Sequence, residues 1–416
     1  MDQALYDLAY RFRNSKLWKT IYEDELFAVE LKGRQIGYCS LMGRSGEHMA
    51  LGLYIGDAGF SSYRKLVSYS TDNRGDAQNP VDLLTQDCIQ CSIEQRDQFS
   101  PEELAEIKAY CKASGTPFRA PYPQFARFYP YCVPWHITSK SDWDSIGTAL
   151  TVLEKMGEFL QSHSKEELGL RPIVADMEGE KYLESDVWQE DLFSAPPSRD
   201  PREDVTIPLY SLKKGELSMR RIPLPPFRET NLLPPDHFNE VAVARLMKLK
   251  KAGDMQCDVL RAPEPVDGEP PYVPAVLLAL ELDEGTILQP VMPKGPQYDP
   301  NEMLEGFIAS LLSSGIYPRR IMVRTDETAV LLKPLCQRAR IELAEGQELD
   351  ELDEAADQIW EEQENGYYLE EIIRMLELMN LDQIRQFSAE MLKQLLETEG
   401  LLPDQLKEKI RMALLK

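Results

Sequence analysis

Two stretches of this chain place reactive or ligand-recognising side chains close together. The first is the loop Gly43-Arg44-Ser45-Gly46-Glu47-His48, which holds one of only four histidines in the sequence. Its glycines allow positive φ or close approach of a ligand to backbone. Arg44, Glu47 and His48 are types that bind an anion, relay a proton or hold a metal. The plainer reading is a tight strand–strand turn capped by its own polar residues, since the strand-then-helix setting of a phosphate-binding loop is missing. The second stretch, residues 117–137, carries seven aromatics and five prolines, with Arg119, Arg127 and His136 as its only basic side chains. Arg119, Trp135 and His136 are its binding candidates, because rings beside a cation can stack on sugars or bases. The plainer reading is a rigid irregular segment, fixed by its prolines, whose rings are packing payload across a sheet.

Two further patterns invite metal or redox chemistry. Glu281 and Asp283 close an apolar run, and Asp326 follows another. Acids at the ends of neighbouring strands are how ribonuclease-H-like nucleases hold two magnesium ions. Against this, the first strand lacks an inward aspartate, Asp283 reads equally well as a turn residue, and Asp326 as a helix N-cap. Cys88-Ile89-Gln90-Cys91 is a lone CxxC without the second pair that zinc needs. The alternation Ile89, Cys91, Ile93 indicates a strand, which sends the two thiols to opposite faces, so they read as core residues.

The elements that must position these groups follow from periodicity. Residues 3–19 read as a helix, 27–31 and 36–42 as a hairpin, and 49–55 as a strand. Neither face of that last strand is charged, so it is central and covered on both sides. A covering helix over 59–70, a strand over 87–95, a helix from Pro101 with Ser100 as N-cap, and a helix over 141–162 come next. Residues 117–137 read as irregular. The segment 194–204 is linker-like, and residues 206–223 form a hairpin turning at Lys213-Lys214-Gly215. Proline-rich stretches at 222–236 and 262–274 flank a helix over 237–251. Strands at 276–282, 286–291, 320–324 and 341–343, with helices at 301–314 and 328–339, make an α/β unit. From Leu349 onward the pattern is helical and acidic: residues 345–371 contain twelve Asp or Glu and no Lys or Arg.

Composition narrows the classes of function. With 416 residues, 43% of them hydrophobic, the chain is long enough for several cores. A net charge of −24 disfavours nucleic-acid backbones and anionic membranes as partners. No apolar run reaches the length of a membrane span, and the N-terminus lacks a signal-peptide core. Seven scattered cysteines argue against a disulfide framework and for a reduced, cytoplasmic setting.

The phrase Met42-Gly43…Gly46-Glu47-His48…Ala50-Leu51…Leu53-Tyr54-Ile55-Gly56, with Trp18 before it and Pro134-Trp135 after it, resembles a domain of unknown function found in many bacterial proteins. Residues 272–345 resemble a second domain of unknown function that accompanies it. The resemblance implies no activity, and it supplies no catalytic residue.

The expected architecture is α+β and multidomain: an N-terminal α+β domain over 1–230, a smaller α/β domain over 237–346 and an acidic helical module over 347–416. The leading expectation is a non-catalytic cytoplasmic binding or scaffold protein without a cofactor, meeting another protein through its C-terminal helices or its aromatic segment. The alternatives are a metal-dependent hydrolase built on Glu281, Asp283 and Asp326, and a small-ligand sensor built on Gly43–His48. Oligomeric state is left open.

Overall fold

The computed structural model describes residues 3–46, 48–72, 84–175, 182–184, 205–225, 234–361 and 403–414, together with 376, 384, 392–393 and 396. Among these, the first sheet has seven strands: β1 (Phe27–Glu30), β2 (Ile36–Met42), β3 (Ala50–Ile55), β4 (Cys88–Glu94), β5 (Tyr122–Phe128), β8 (Thr206–Lys213) and β9 (Glu216–Pro223). Their order is β5-β4-β3-β2-β1-β8-β9, with β8 the only strand parallel to its inner neighbour, β1. A short ribbon, β6 (Ile173–Ala175) with β7 (Tyr182–Glu184), is paired with neither sheet, and its Ile173 packs into the core between the first sheet and α2 (Gly56–Asp72).

Alternation along these strands sends side chains to two cores. Val29, Cys39, Leu51, Leu53 and Cys91 meet α1 (Gln3–Ser15) and α4 (Lys140–Phe159) on one face. Ala28, Tyr38, Tyr54 and Cys88 meet Phe60 and Tyr63 of α2 (Gly56–Asp72) on the other. A sheet buried on both faces explains why β3 carries no charge. It also explains the CxxC, whose two cysteines lie in different cores. Burial pushes the Cys88 thiol up to about 12 and raises that of Cys91 as well. The helix α3 (Pro101–Ser114) opens with a full capping box: Ser100 accepts from the Glu103 N–H, and Glu103 accepts from the Ser100 N–H.

The second sheet has the order β12-β11-β10-β13-β14. It comprises β10 (Asp254–Arg261), β11 (Ala275–Glu281), β12 (Thr286–Ile287), β13 (Arg320–Met322) and β14 (Glu342–Ala344). β11 is antiparallel to β10, whereas β13 and β14 run parallel. α5 (Glu240–Leu246), α6 (Pro300–Ser314) and α7 (Asp326–Ala339) cover one face. The helical residues 350–361, α8, cover the other through Leu352, Ala355 and Ala356 against Leu278 and Leu280. A last helix, α9, spans Asp404–Leu414. The chain is thus α+β with several structural units.

Two strands differ from the sequence reading. Residues 122–128, expected to be irregular, form β5. Their proline, Pro123, is tolerated because β5 is an edge strand, where a missing N–H costs no ladder bond. Residues 254–261, which no pattern marked, form the central strand of the second sheet. Two aspartates mask its apolar run, and one of them, Asp258, is 1% exposed. Its carboxylate is supplied with donors by the Thr325 and Thr328 hydroxyls and the Arg324 guanidinium. The helix read over 237–251 shortens to α5, and the return strand over 286–291 shortens to β12. The linker-like segment 194–204 and most of the C-terminal helical stretch lie outside the described residues.

Candidate functional site

The two sheets meet at the aromatic segment. After β5 the chain folds back on itself: the Arg127 N–H donates to the Trp135 carbonyl (2.7 Å) and the Trp135 N–H to the Arg127 carbonyl (2.9 Å). Arg127 fixes this return. Its guanidinium pairs with Asp87, donates to the Cys88 carbonyl (3.0 Å), lies 3.6 Å from Asp142 at the start of α4, and sits 4.3 Å from the Tyr129 ring centre. Burial raises the Asp142 carboxyl above its ordinary value although Arg127 pulls it down. Arg127 is therefore spent on structure.

The returned segment then pairs with the second domain. The Val133 N–H donates to the Pro271 carbonyl and the Val273 N–H to the Tyr131 carbonyl, both at 2.8 Å, around a bridge between Cys132 and Tyr272. Arg261, at the end of β10, lays its guanidinium 3.4 Å from the Tyr131 ring centre and donates to the Pro296 carbonyl (3.1 Å). Glu327 stands 3.9 Å from Arg261 and accepts from the Tyr298 hydroxyl (2.7 Å). Burial and the nearby Glu327 charge both raise the Tyr298 hydroxyl, so it stays a donor.

Beside this seam lies an open cleft of about 810 Å³. Tyr129, Trp135 and His136 line it from the first domain, and Glu269, Tyr272 and Gln297 from the second. The Trp135 and His136 rings lie 4.8 Å apart, centre to centre, and are tilted by 38°. Tyr272 is oriented by its hydroxyl, which accepts the Gly295 N–H at 2.9 Å. The volume falls within the usual range of ligand clefts, and a domain boundary is where such clefts concentrate. Ring faces with polar tips give it area for stacking and a few hydrogen-bonding groups for orientation.

Of the sequence candidates, Trp135 and His136 are brought together in this cleft. Arg119 is not with them: it is exposed, and its carbonyl accepts from Arg13 at 3.4 Å. Arg44 stacks on Tyr22, 3.8 Å from the ring centre. His48 is held against β4 by Gln90, with Nδ1 3.5 Å from Glu94. Glu47 lies outside the described residues. Neither this cleft nor the one adjoining it is lined by residues 43–48.

Glu281, Asp283 and Asp326 are not brought together. Glu281 pairs with Met255 near the start of β10, and its carboxylate accepts the N–H groups of Asp283 (3.1 Å) and Glu284 (2.8 Å), closing the turn. Asp326 follows β13, whose parallel pairing with β10 carries it toward the opposite end, beside Asp258. Among the described residues, no group of three His, Cys, Asp or Glu is placed to hold a metal ion.

The second-domain half of the cleft escaped sequence reading. Its only signal was the proline-rich stretch 262–274, with Glu269-Pro270-Pro271-Tyr272 at its end. Nothing in the sequence pairs it with residues 131–133.

Residues 3–172 match the model of a domain of unknown function, DUF7309, and residues 242–360 match that of a second, DUF6930. The resemblance to two domains of unknown function is thereby borne out, and the second match extends through α8. No curated protein matches the chain. The two matched stretches face each other across the cleft.

Proposed function

We propose that this chain, which carries two domains of unknown function, is a non-catalytic binding protein whose interdomain cleft receives an extended segment of another protein. The observation that carries the reading is the lining of that cleft: Tyr129, Trp135, His136 and Tyr272 converge from both domains on one open trough. An open trough suits a ligand that enters and leaves lengthwise. Tyrosine and tryptophan supply large rigid contact area at low entropic cost, which makes them the usual anchors of protein interfaces. Aromatic-walled grooves are also the surfaces on which polyproline II segments dock, because such segments arrive already ordered.

Residues 131–133 and 271–273 join the two halves through backbone hydrogen bonds, so the trough is preformed. All seven cysteines are free and buried, in keeping with a reduced cytoplasmic setting. Among the described residues no helix is long and apolar enough to cross a membrane.

The test is a peptide-display selection on the immobilised full chain, with parallel panning on Trp135→Ala. Enriched peptides should bind the unsubstituted chain at least about tenfold better, roughly 1.4 kcal/mol. Enrichment of the same peptides, with equal affinity, on Trp135→Ala would sink the assignment of this cleft.

A further inference from the structure

His136 and Thr138 are shared between the interdomain cleft and an adjoining one of about 740 Å³. The second cleft lies wholly within the first domain, between the starts of α3 and α4 and the outer end of β5. Its floor is again aromatic: Tyr6, Phe99, Phe125 and Trp143. Phe125 joins them, 5.6 Å from Tyr6 and 5.3 Å from Trp143, both edge-on. Its walls differ from those of the first cleft. Glu102, Glu103, Glu106 and Asp144 line it, opposed by Lys140 alone.

Glu102, Glu106 and Asp144 are exposed and take part in no ion pair among the described residues. Glu103 spends one oxygen on the capping box. Their field reaches the cleft floor: Glu106 and Glu103 both raise the Tyr6 hydroxyl, after burial, which is the larger cause. Acids in the first turn of α3 are explained by the helix dipole. That explanation does not extend to Glu106 in its second turn, nor to Asp144 across the cleft on α4.

From this we infer that the partner segment is basic. Resting on the reading of the interdomain cleft as a peptide site, we place its apolar or proline-containing part over Trp135 and Tyr272. Its Lys or Arg side chains then pass His136 into the adjoining cleft and meet Glu106, Glu102 and Asp144. The ring floor suits such side chains twice over: aliphatic stems pack on aromatic faces, and cations are drawn to them. Charge complementarity of this kind sets partner choice and encounter rate and is weakened by salt.

The experiment uses fluorescence anisotropy on the full chain with two labelled peptides of roughly twelve residues, a length that polyproline II geometry makes extended. One alternates prolines and arginines around a central tyrosine; the other replaces every arginine by glutamine. The variants are Glu102→Gln/Glu106→Gln/Asp144→Asn, at three exposed positions, and Trp135→Ala. The basic peptide should bind the unsubstituted chain at least about tenfold better than the neutral one. The triple variant should erase that preference and leave the neutral peptide unchanged, while Trp135→Ala should weaken both. Equal binding of the two peptides, unaltered by the triple substitution, overturns the basic partner and leaves the interdomain cleft standing. Weakening of neither peptide by Trp135→Ala, or binding of neither up to about 1 mM, overturns the cleft reading and this inference with it.

Discussion

Replacing Arg261 by methionine should loosen the seam on which the cleft depends. Methionine keeps the apolar stem and removes the guanidinium. Besides the longer contact with Glu327, at 3.9 Å, two closer interactions go with it: the stacking on Tyr131, at 3.4 Å, and the hydrogen bond to the Pro296 carbonyl, at 3.1 Å. With the side chain only 13% exposed, water replaces neither well. A partly desolvated cation–π contact is worth about 1–2 kcal/mol and a hydrogen bond from a charged donor about 1.5 kcal/mol, less what methionine recovers by packing. The Tyr131 contact alone crosses between the domains, so the expected loss is about 1–2 kcal/mol of coupling, and the Pro296 hydrogen bond is lost from the second domain's own stability. The backbone pairing of Val133 with Pro271 and of Val273 with Tyr131 survives, so the seam weakens without opening fully. Scanning calorimetry reads this directly: the transition of the smaller domain should fall by about 5–10 °C and separate from that of the larger one. Traces that superimpose on those of the unsubstituted chain would refute the reasoning, and the seam would then be a contact without energetic weight.

Two further outcomes follow from buried polar chemistry. Asp258→Ala removes the acceptor shared by Thr325, Thr328 and Arg324 and should cost about 1–3 kcal/mol in urea unfolding of the second domain, since it leaves the buried Thr328 hydroxyl without its acceptor while the exposed Arg324 keeps Asp353; a change below about 0.5 kcal/mol would contradict the network's role. Burial raises the Cys88 thiol from 9.0 to about 12. A raised folded-state value means that its contribution is fully present below pH 9.0 and is lost as pH rises toward about 12. Stability should therefore decline across that window with a slope that Cys88→Ala reduces. An unchanged slope in the variant would assign the decline to other groups.

Much of the first domain was legible because its strands alternate cleanly and its helices carry their own caps. Ser100 and Pro101 mark the start of α3 to the residue, and the uncharged faces of β3 announce a strand buried on both sides. The CxxC was legible as two core thiols for the same reason: a period of two sends Cys88 and Cys91 apart. β10 was illegible because a buried aspartate reads as a surface residue until its donors are known, and those come from residues 324–328, far along the chain. That hidden strand also determines why Glu281 and Asp326 lie apart, since one neighbour of β10 runs antiparallel and the other parallel. Half of the candidate site was visible, Trp135 and His136 standing out by type. The other half was not, because Tyr272 and Glu269 reach it through a pairing between distant loops that no local pattern encodes.

The central claim is that a partner segment lies in the trough between the two domains. A crystal structure of the full chain with the tightest peptide from the display selection tests it most directly. The account predicts an extended peptide across Trp135 and Tyr272, with its basic side chains turned past His136 toward Glu106 and Asp144. A peptide seated elsewhere on the chain, with the trough left vacant, would contradict it.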